Sequence, residues 1–114
     1  MSIRVTTRSA GSVVVVEVSG QIILGDGTAL LRKTVRGLLA EGHNHILLNL
    51  GEVDYIDSAG IGELVSSYKT THDKGGELKL LNLTRRVRDV LQLTRLHTVF
   101  DVQSDEATAL RSFT

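Results

Sequence analysis

The sequence predicts an α/β fold in which a mixed β-sheet of four to five strands is flanked by about four helices. Stretches rich in Val, Ile and Leu alternate with stretches whose apolar residues recur every three or four positions, which is the pattern of strands separated by helices. The first two strand-like stretches are separated only by residues 9–12 (Ser-Ala-Gly-Ser), which are typical of a hairpin turn. The sheet should therefore contain one antiparallel pair beside parallel ones.

The first third of the chain predicts this hairpin and a helix after it. Ile3 and Val5 alternate with polar residues, as in a half-exposed strand, and residues 13–18 form a β-branched run. Residues 21–24 then lead into residues 25–28 (Gly-Asp-Gly-Thr), after which a helix is expected. Its apolar stripe consists of Leu30, Leu31, Val35, Leu38 and Leu39.

The centre of the chain predicts a buried strand followed by a second helix. The apolar run at residues 45–50 is continuous rather than alternating, as expected of a central strand or one covered on both faces. A helix should run from Ser58 to about His72, with residues 74–76 (Lys-Gly-Gly) stopping it. Its expected buried face consists of Ile61, Leu64, Val65 and Tyr68.

The last third predicts one more strand and two shorter helices. We expect a strand over residues 77–83, a helix capped by Thr84, a short strand within residues 99–102 and a terminal helix capped by Ser104. The buried residues expected for these two helices are Val87, Val90, Leu91, Thr94, Ala107, Leu110 and Phe113.

Composition narrows the range of functions. At 114 residues the chain should form a single domain over residues 1–114, with an aliphatic core because aromatic residues are few. Thirteen basic and thirteen acidic residues cancel, which argues against a nucleic-acid or membrane partner. The absence of cysteine excludes disulfides and thiolate metal sites. With no leader-like N-terminus and no apolar run of membrane-spanning length, we expect a cytoplasmic protein.

Residues 49–62 hold the strongest candidate for a functional site. Ser58 lies where a strand becomes a helix, and the first N–H groups of a helix lack internal partners and carry positive charge. A side-chain oxygen or a phosphate is therefore favoured there. Gly60 and Gly62 should leave the first turn bare for a partner protein. Alternatively, Ser58 is merely an N-cap that contributes about 1 kcal/mol; the nearby Asp54 and Asp57, at the carboxyl end of a strand, favour a functional role.

Enzymatic interpretations are weaker. Residues 56–60 (Ile-Asp-Ser-Ala-Gly) lack the first glycine of a nucleophile elbow, and residues 25–28 match neither a dinucleotide fingerprint nor a P-loop. His43 and His45 are too isolated to suggest a metal site, so no metal or cofactor is expected. The arginines at positions 85, 86 and 88 are expected to be a solvated face. The protein is predicted not to be an enzyme.

The chain resembles the STAS domain of bacterial anti-sigma factor antagonists over essentially its whole length. The matching residues are Asn49, Leu50, Val53, residues 56–62 (Ile-Asp-Ser-Ala-Gly-Ile-Gly), residues 74–76 and residues 78–81. The resemblance implies a small mixed sheet flanked by helices and a cytoplasmic regulator that exchanges partners. In such proteins the unphosphorylated form binds an anti-sigma factor that is also a serine kinase, which frees the sigma factor. Phosphorylation ends the binding, and a phosphatase resets the cycle.

Carried over to this chain, the resemblance makes Ser58 the phosphorylation site. The residues expected to bind the partner are Asp26, Asp54, Asp57, Ser58, Ala59, Gly60, Ile61 and Gly62. One departure concerns the acidic residue that family members often place soon after the glycine ending the second strand. Here Gly20 is followed by Gln-Ile-Ile-Leu, so either Asp26 takes that role or the role is absent.

The resemblance also leaves an alternative within the same domain type. The protein could instead be a scaffold subunit of a signalling assembly or the cytoplasmic component of a lipid or anion transport system. In either case we expect a monomer or a weak dimer, since nothing in the sequence requires a larger assembly.

Overall fold

The computed structural model describes residues 2–113, so the predicted single domain over residues 1–114 includes two terminal residues outside this range. The chain forms one sheet of five strands in the order β1-β2-β3-β4-β5, in which β1 and β2 are antiparallel and the other neighbours are parallel. The elements are β1 Ile3–Ala10, β2 Val13–Ile22, α1 Asp26–Ala40, β3 His45–Ile56, α2 Ser58–Asp73, β4 Glu77–Leu81, α3 Arg85–Leu93, a 3₁₀ turn Leu96–Thr98, β5 Val102–Gln103 and α4 Glu106–Arg111. The predicted mixed α/β fold is confirmed.

The two faces of the sheet carry two separate apolar clusters. Alternate residues of β2, such as Val14 and Val16, belong to the larger cluster, together with residues of α1, α2 and α3. The intervening residues, such as Val13 and Val15, pack with Ala109 of α4 in the smaller cluster. Three helices therefore cover one face, and the six-residue α4 covers part of the other.

Strand β3 is longer than the sequence predicted. The apolar run ends at Leu50, but pairing with β2 continues to Ile56 through two shifts of register, at each of which β3 has one extra residue. Asp54 is the extra residue at the second shift, between Val53 and Tyr55. The central strand therefore reaches the start of α2, with only Asp57 between them.

The C-terminal elements also differ in detail. Thr84 caps α3 as predicted, but the N-cap of α4 is Asp105 rather than Ser104. The expected apolar side of the terminal helix was wrong for Ala107, which is exposed, whereas Leu110 and Phe113 are partly buried against the smaller cluster. Ala109, which was not expected, is fully buried. The last strand, Val102–Gln103, begins where the predicted one ended.

Candidate functional site

The turn between β3 and α2 is built around Asp57. This residue is the N-cap of α2 in extended conformation, and its Oδ1 accepts the Gly60 N–H at 2.8 Å. Ser58 is the first residue of the helix. The interpretation of Ser58 as an N-cap is therefore wrong. Asp57 accepts a free N–H group of the first turn instead, because an aspartate side chain is as good a cap as a serine.

The Ser58 side chain is exposed at this turn. Its hydroxyl makes no hydrogen bond with any other residue of the described range 2–113. The hydroxyl is therefore accessible from solvent.

Asp57 also joins the turn to the end of β2. Its second oxygen, Oδ2, accepts the Leu24 N–H at 3.0 Å, and its own N–H donates to the Ile22 carbonyl oxygen at 3.3 Å. Hydrogen bonds from the Leu24 N–H, which has the larger effect, and from the Gly60 N–H stabilise the charged form of Asp57. They lower the pKa of Asp57 below its ordinary value. Asp57 is therefore a carboxylate at neutral pH, next to Ser58.

This arrangement corrects one expectation about electrostatics. The sequence suggested that open helix amides would receive an oxygen or phosphate at Ser58. In the structure the Asp57 carboxylate already accepts the Gly60 N–H, and the Ile61 N–H donates to the Asp57 carbonyl oxygen at 3.0 Å. A phosphate on Ser58 would thus be placed beside a fixed negative charge.

The two glycines of the first turn have different roles. A side chain at Gly60 would collide with the Ile22 carbonyl oxygen and with Ile56 Cγ1, so this glycine lets α2 pack directly against the end of β2. The expectation that Gly60 lies bare on the surface is wrong, because it is buried. Gly62 is exposed, and nothing lies within 4 Å of the position a side chain would take.

The other predicted partner-binding residues also divide into accessible and buried ones. Asp26, the first residue of α1, and Asp54 are exposed, and Ala59 is half-buried. Ile61 is 6% exposed and belongs to the larger apolar cluster, so its side chain faces the core rather than a partner. The accessible part of the predicted set is Asp26, Asp54, Asp57, Ser58, Ala59 and Gly62.

The loop over residues 20–28 was expected to meet the partner, but the predicted set of partner-binding residues omits two exposed side chains on the segments that form this edge. Leu24, whose N–H Asp57 accepts, is 77% exposed. Tyr55 is 40% exposed, with the Arg86 guanidinium carbon 5.2 Å from its ring centroid. The exposure of Leu24 could have been suspected from the sequence. Residues 22–24 are all apolar and continue up to the glycine that begins the next loop, so not all of them are needed in a strand.

The start of α3 lies at the same edge of the sheet. The Thr84 hydroxyl accepts the Val87 N–H at 3.3 Å and donates to the Val53 carbonyl oxygen at 2.9 Å, which attaches α3 to β3. Arg85 is exposed and lies 3.9 Å from Asp89, a weak surface pair. The arginines that follow Thr84 are a solvent-facing group at the end of β3.

No group of three or more His, Asp or Glu residues in residues 2–113 is arranged to hold a metal ion. No helix in this range has the length and apolar character needed to cross a membrane.

Comparison with known proteins identifies the family. The STAS domain model matches residues 4–109, and the chain belongs to this family. It is similar to the anti-sigma-B factor antagonist of Bacillus subtilis (strain 168), at 31% identity over 91% of this chain and 94% of that protein. The resemblance to anti-sigma factor antagonists, stated from residues 45–83, is confirmed.

Solved structures agree on the fold. A crystal structure from Thermotoga maritima superposes with a TM-score of 0.88 at 25% identity, covering 96% of this chain and 93% of that chain. The Bacillus cell fate determinant SpoIIAA in its phosphorylated form superposes with a TM-score of 0.71 at 19% identity, covering 96% of this chain and 98% of that chain. At this lower identity the likeness concerns the fold alone.

Proposed function

We propose that this protein is an anti-sigma factor antagonist whose partner is an anti-sigma factor with serine kinase activity. The unphosphorylated form binds that partner and releases its sigma factor, and phosphorylation of Ser58 ends the binding. The observation that carries the proposal is the exposed Ser58 hydroxyl, free of hydrogen bonds to residues 2–113, at the centre of the family motif. The name of the Bacillus subtilis relative and the phosphorylated form of SpoIIAA support it.

The proposed modification is a phosphoryl transfer. The Ser58 oxygen forms a bond to the γ-phosphorus of ATP, the bond from that phosphorus to the β–γ bridging oxygen breaks, and ADP leaves. The hydroxyl proton passes to a base of the kinase, since Asp57 already accepts two N–H groups. In the reverse step a phosphatase uses water to release inorganic phosphate and restore the hydroxyl.

Local charge explains how this modification would change binding. A phosphoserine adds roughly −1.5 to −2 charges at neutral pH. Asp57 is held as a carboxylate beside Ser58, and Asp54 is exposed three residues before Asp57. A surface of the partner that tolerates the existing carboxylates would then meet about twice the negative charge. A loss of about 3 kcal/mol would weaken binding more than a hundredfold.

The remaining parts of the proposal concern the setting. The protein acts by binding rather than by catalysis, in the cytoplasm where sigma factors meet RNA polymerase, and a separate phosphatase returns it to the binding form.

The direct test is mass spectrometry of the chain after incubation with its serine-kinase anti-sigma factor and ATP. We expect one phosphate, on Ser58, and none on the Ser58→Ala variant. Ser12, an exposed serine in the hairpin turn, offers a matched control, because Ser12→Ala should be phosphorylated like the wild type. A phosphate on another residue, or none at all, would contradict the proposal.

A further inference from the structure

Leu24 is exposed in an unusual setting. Its side chain is 77% exposed, although it follows the fully buried Ile22 by only two positions. Most single exposed leucines have no particular role. Leu24 differs because its backbone is attached to the turn that contains Ser58.

Three contacts fix residues 22–24 to this turn. The Leu24 N–H donates to Asp57 Oδ2 at 3.0 Å, and the Ile22 carbonyl accepts the Asp57 N–H at 3.3 Å. The bare Cα of Gly60 packs against the same carbonyl. On the other side, the Ile23 carbonyl accepts the Thr28 N–H at 3.1 Å, within the first turn of α1. Leu24 is thus an exposed apolar side chain on a well-anchored backbone.

An apolar side chain held in this way is suited to be the anchor of an interface. Binding then orders few additional degrees of freedom, so most of the energy gained by burying the side chain appears as affinity. Interfaces typically depend on a few such residues, which enter pockets of the partner.

The surrounding charges indicate what the pocket looks like. Asp26 is exposed two positions after Leu24, and Asp57 accepts the Leu24 N–H directly. Basic side chains do not fit this rim, because they would attract a phosphate on Ser58 rather than be repelled by it. A complementary surface therefore combines an apolar pocket with uncharged hydrogen-bond donors at its rim. We propose that Leu24, whose backbone N–H is held at the turn of Ser58 by the Asp57 carboxylate, is the apolar anchor that enters an uncharged, apolar pocket of the serine-kinase anti-sigma factor. This inference rests on the proposed function and names the contact that carries it.

The test measures binding of the unphosphorylated chain to the purified serine-kinase anti-sigma factor by isothermal titration calorimetry. Leu24→Ala should raise Kd at least tenfold, and Leu24→Asp more than a hundredfold, whereas Leu24→Met should stay within about threefold of the wild type. The chain offers a matched control in Leu93, which is 85% exposed near the opposite end of α3 from Thr84. Leu93→Ala should change Kd by less than about twofold.

A double-mutant cycle tests the part played by Asp57. If Asp57 acts by holding Leu24, the double variant Leu24→Ala with Asp57→Ala should bind no more weakly than the weaker single variant. In Asp57→Ala alone, the Leu24 amide should also exchange its hydrogen faster. If the effects of the two substitutions on Kd multiply, or if the exchange rate of the Leu24 amide is unchanged, Asp57 does not act by holding Leu24.

The outcomes separate the two proposals. Binding of the wild type with an unchanged Kd for Leu24→Ala would overturn the anchor and leave the proposed function standing. Failure of the wild type to bind the anti-sigma factor would overturn both. Thermal melts of the Leu24 variants exclude unfolding as the cause, because a side chain this exposed contributes little to stability.

Discussion

Helices α2 and α3 both begin at the carboxyl edge of the sheet, but the side chains that cap them make different second contacts. Each start is capped by a side chain: Asp57 accepts the Gly60 N–H, and Thr84 accepts the Val87 N–H. The Thr84 hydroxyl also donates a hydrogen bond to the carbonyl oxygen of Val53 in β3, the strand before α2. Asp57 instead reaches Leu24 at the end of β2 and leaves the hydroxyl of its neighbour, Ser58, unengaged.

The charge at the two starts is also opposite. Asp57 is followed by Ser58, the proposed phosphorylation site, whereas Thr84 is followed by the exposed Arg85, whose charge opposes the helix dipole. The same capping geometry therefore supports two outcomes. One helix start presents an exposed hydroxyl beside a carboxylate, and the other attaches α3 to the sheet.

The largest effect on stability should come from the packing that attaches α2 to β2. Gly60→Ala forces a methyl group against the Ile22 carbonyl oxygen and Ile56, and we expect it to lower the free energy of unfolding by about 3 kcal/mol. Urea denaturation measures this loss. The matched control is Gly62→Ala, where the space is open and the better helix propensity of alanine should stabilise the protein by up to about 1 kcal/mol. A gain in stability for both variants would mean that helix propensity, rather than packing, governs this turn.

Removing each cap sharpens the comparison between the two helix starts. We expect Asp57→Ala to cost about 2 kcal/mol, because a charged group that serves two N–H donors is lost, and Thr84→Ala to cost about 1 kcal/mol. Chemical denaturation of both variants under one condition gives the difference. A larger loss of unfolding free energy for Thr84→Ala would show that the hydrogen bond of Thr84 to Val53 attaches its helix more strongly than the hydrogen bonds of Asp57 attach α2.

The pH dependence of stability should distinguish the two caps qualitatively. The pKa of Asp57 is lower in the folded chain than in the unfolded one, because the Leu24 and Gly60 N–H groups stabilise its carboxylate. Its contribution is therefore fully present above the unfolded pKa of about 3.9 and is lost as pH falls through the lower folded pKa. The difference in unfolding free energy between wild type and Asp57→Asn should shrink over that acidic range. The corresponding difference for Thr84→Ala should stay constant, since a hydroxyl does not titrate there.

The smallest effect should come from the arginines of α3. Arg85 is exposed and its pair with Asp89 spans 3.9 Å, so Arg85→Gln should change stability by less than about 0.5 kcal/mol. Its affinity for the anti-sigma factor should equal that of the wild type. A clear loss of affinity in the calorimetric titration would extend the interface to α3 and weaken the contrast drawn between the two helix starts.

The fold could be predicted from local patterns because its strands and helices have strong ones. The apolar periodicity of α1 and α2 and the β-branched run of β2 are visible without knowledge of their neighbours. The extension of β3 past Leu50 could not be predicted, because it depends on pairing with β2 through two bulges. Local signals for a turn were overridden there by a long-range strand contact.

The site was predicted in position but not in internal geometry. Ser58 and Asp57 were found from the transition between strand and helix, but a serine and an aspartate are both good caps, so sequence did not decide between them. Tertiary structure decides, because the Asp57 carboxylate also meets the Leu24 N–H. The burial of Gly60 and the exposure of Leu24 follow from the same contact between β2 and α2, which leaves no local signature.

The central claim is that a phosphate at Ser58 determines whether this protein holds its partner. The most direct measurement is the Kd of the wild-type chain for its anti-sigma factor before and after stoichiometric phosphorylation, with the modified residue mapped in the same sample. The account predicts a rise in Kd of more than a hundredfold with phosphate on Ser58 alone. An equal Kd for the two forms would contradict it.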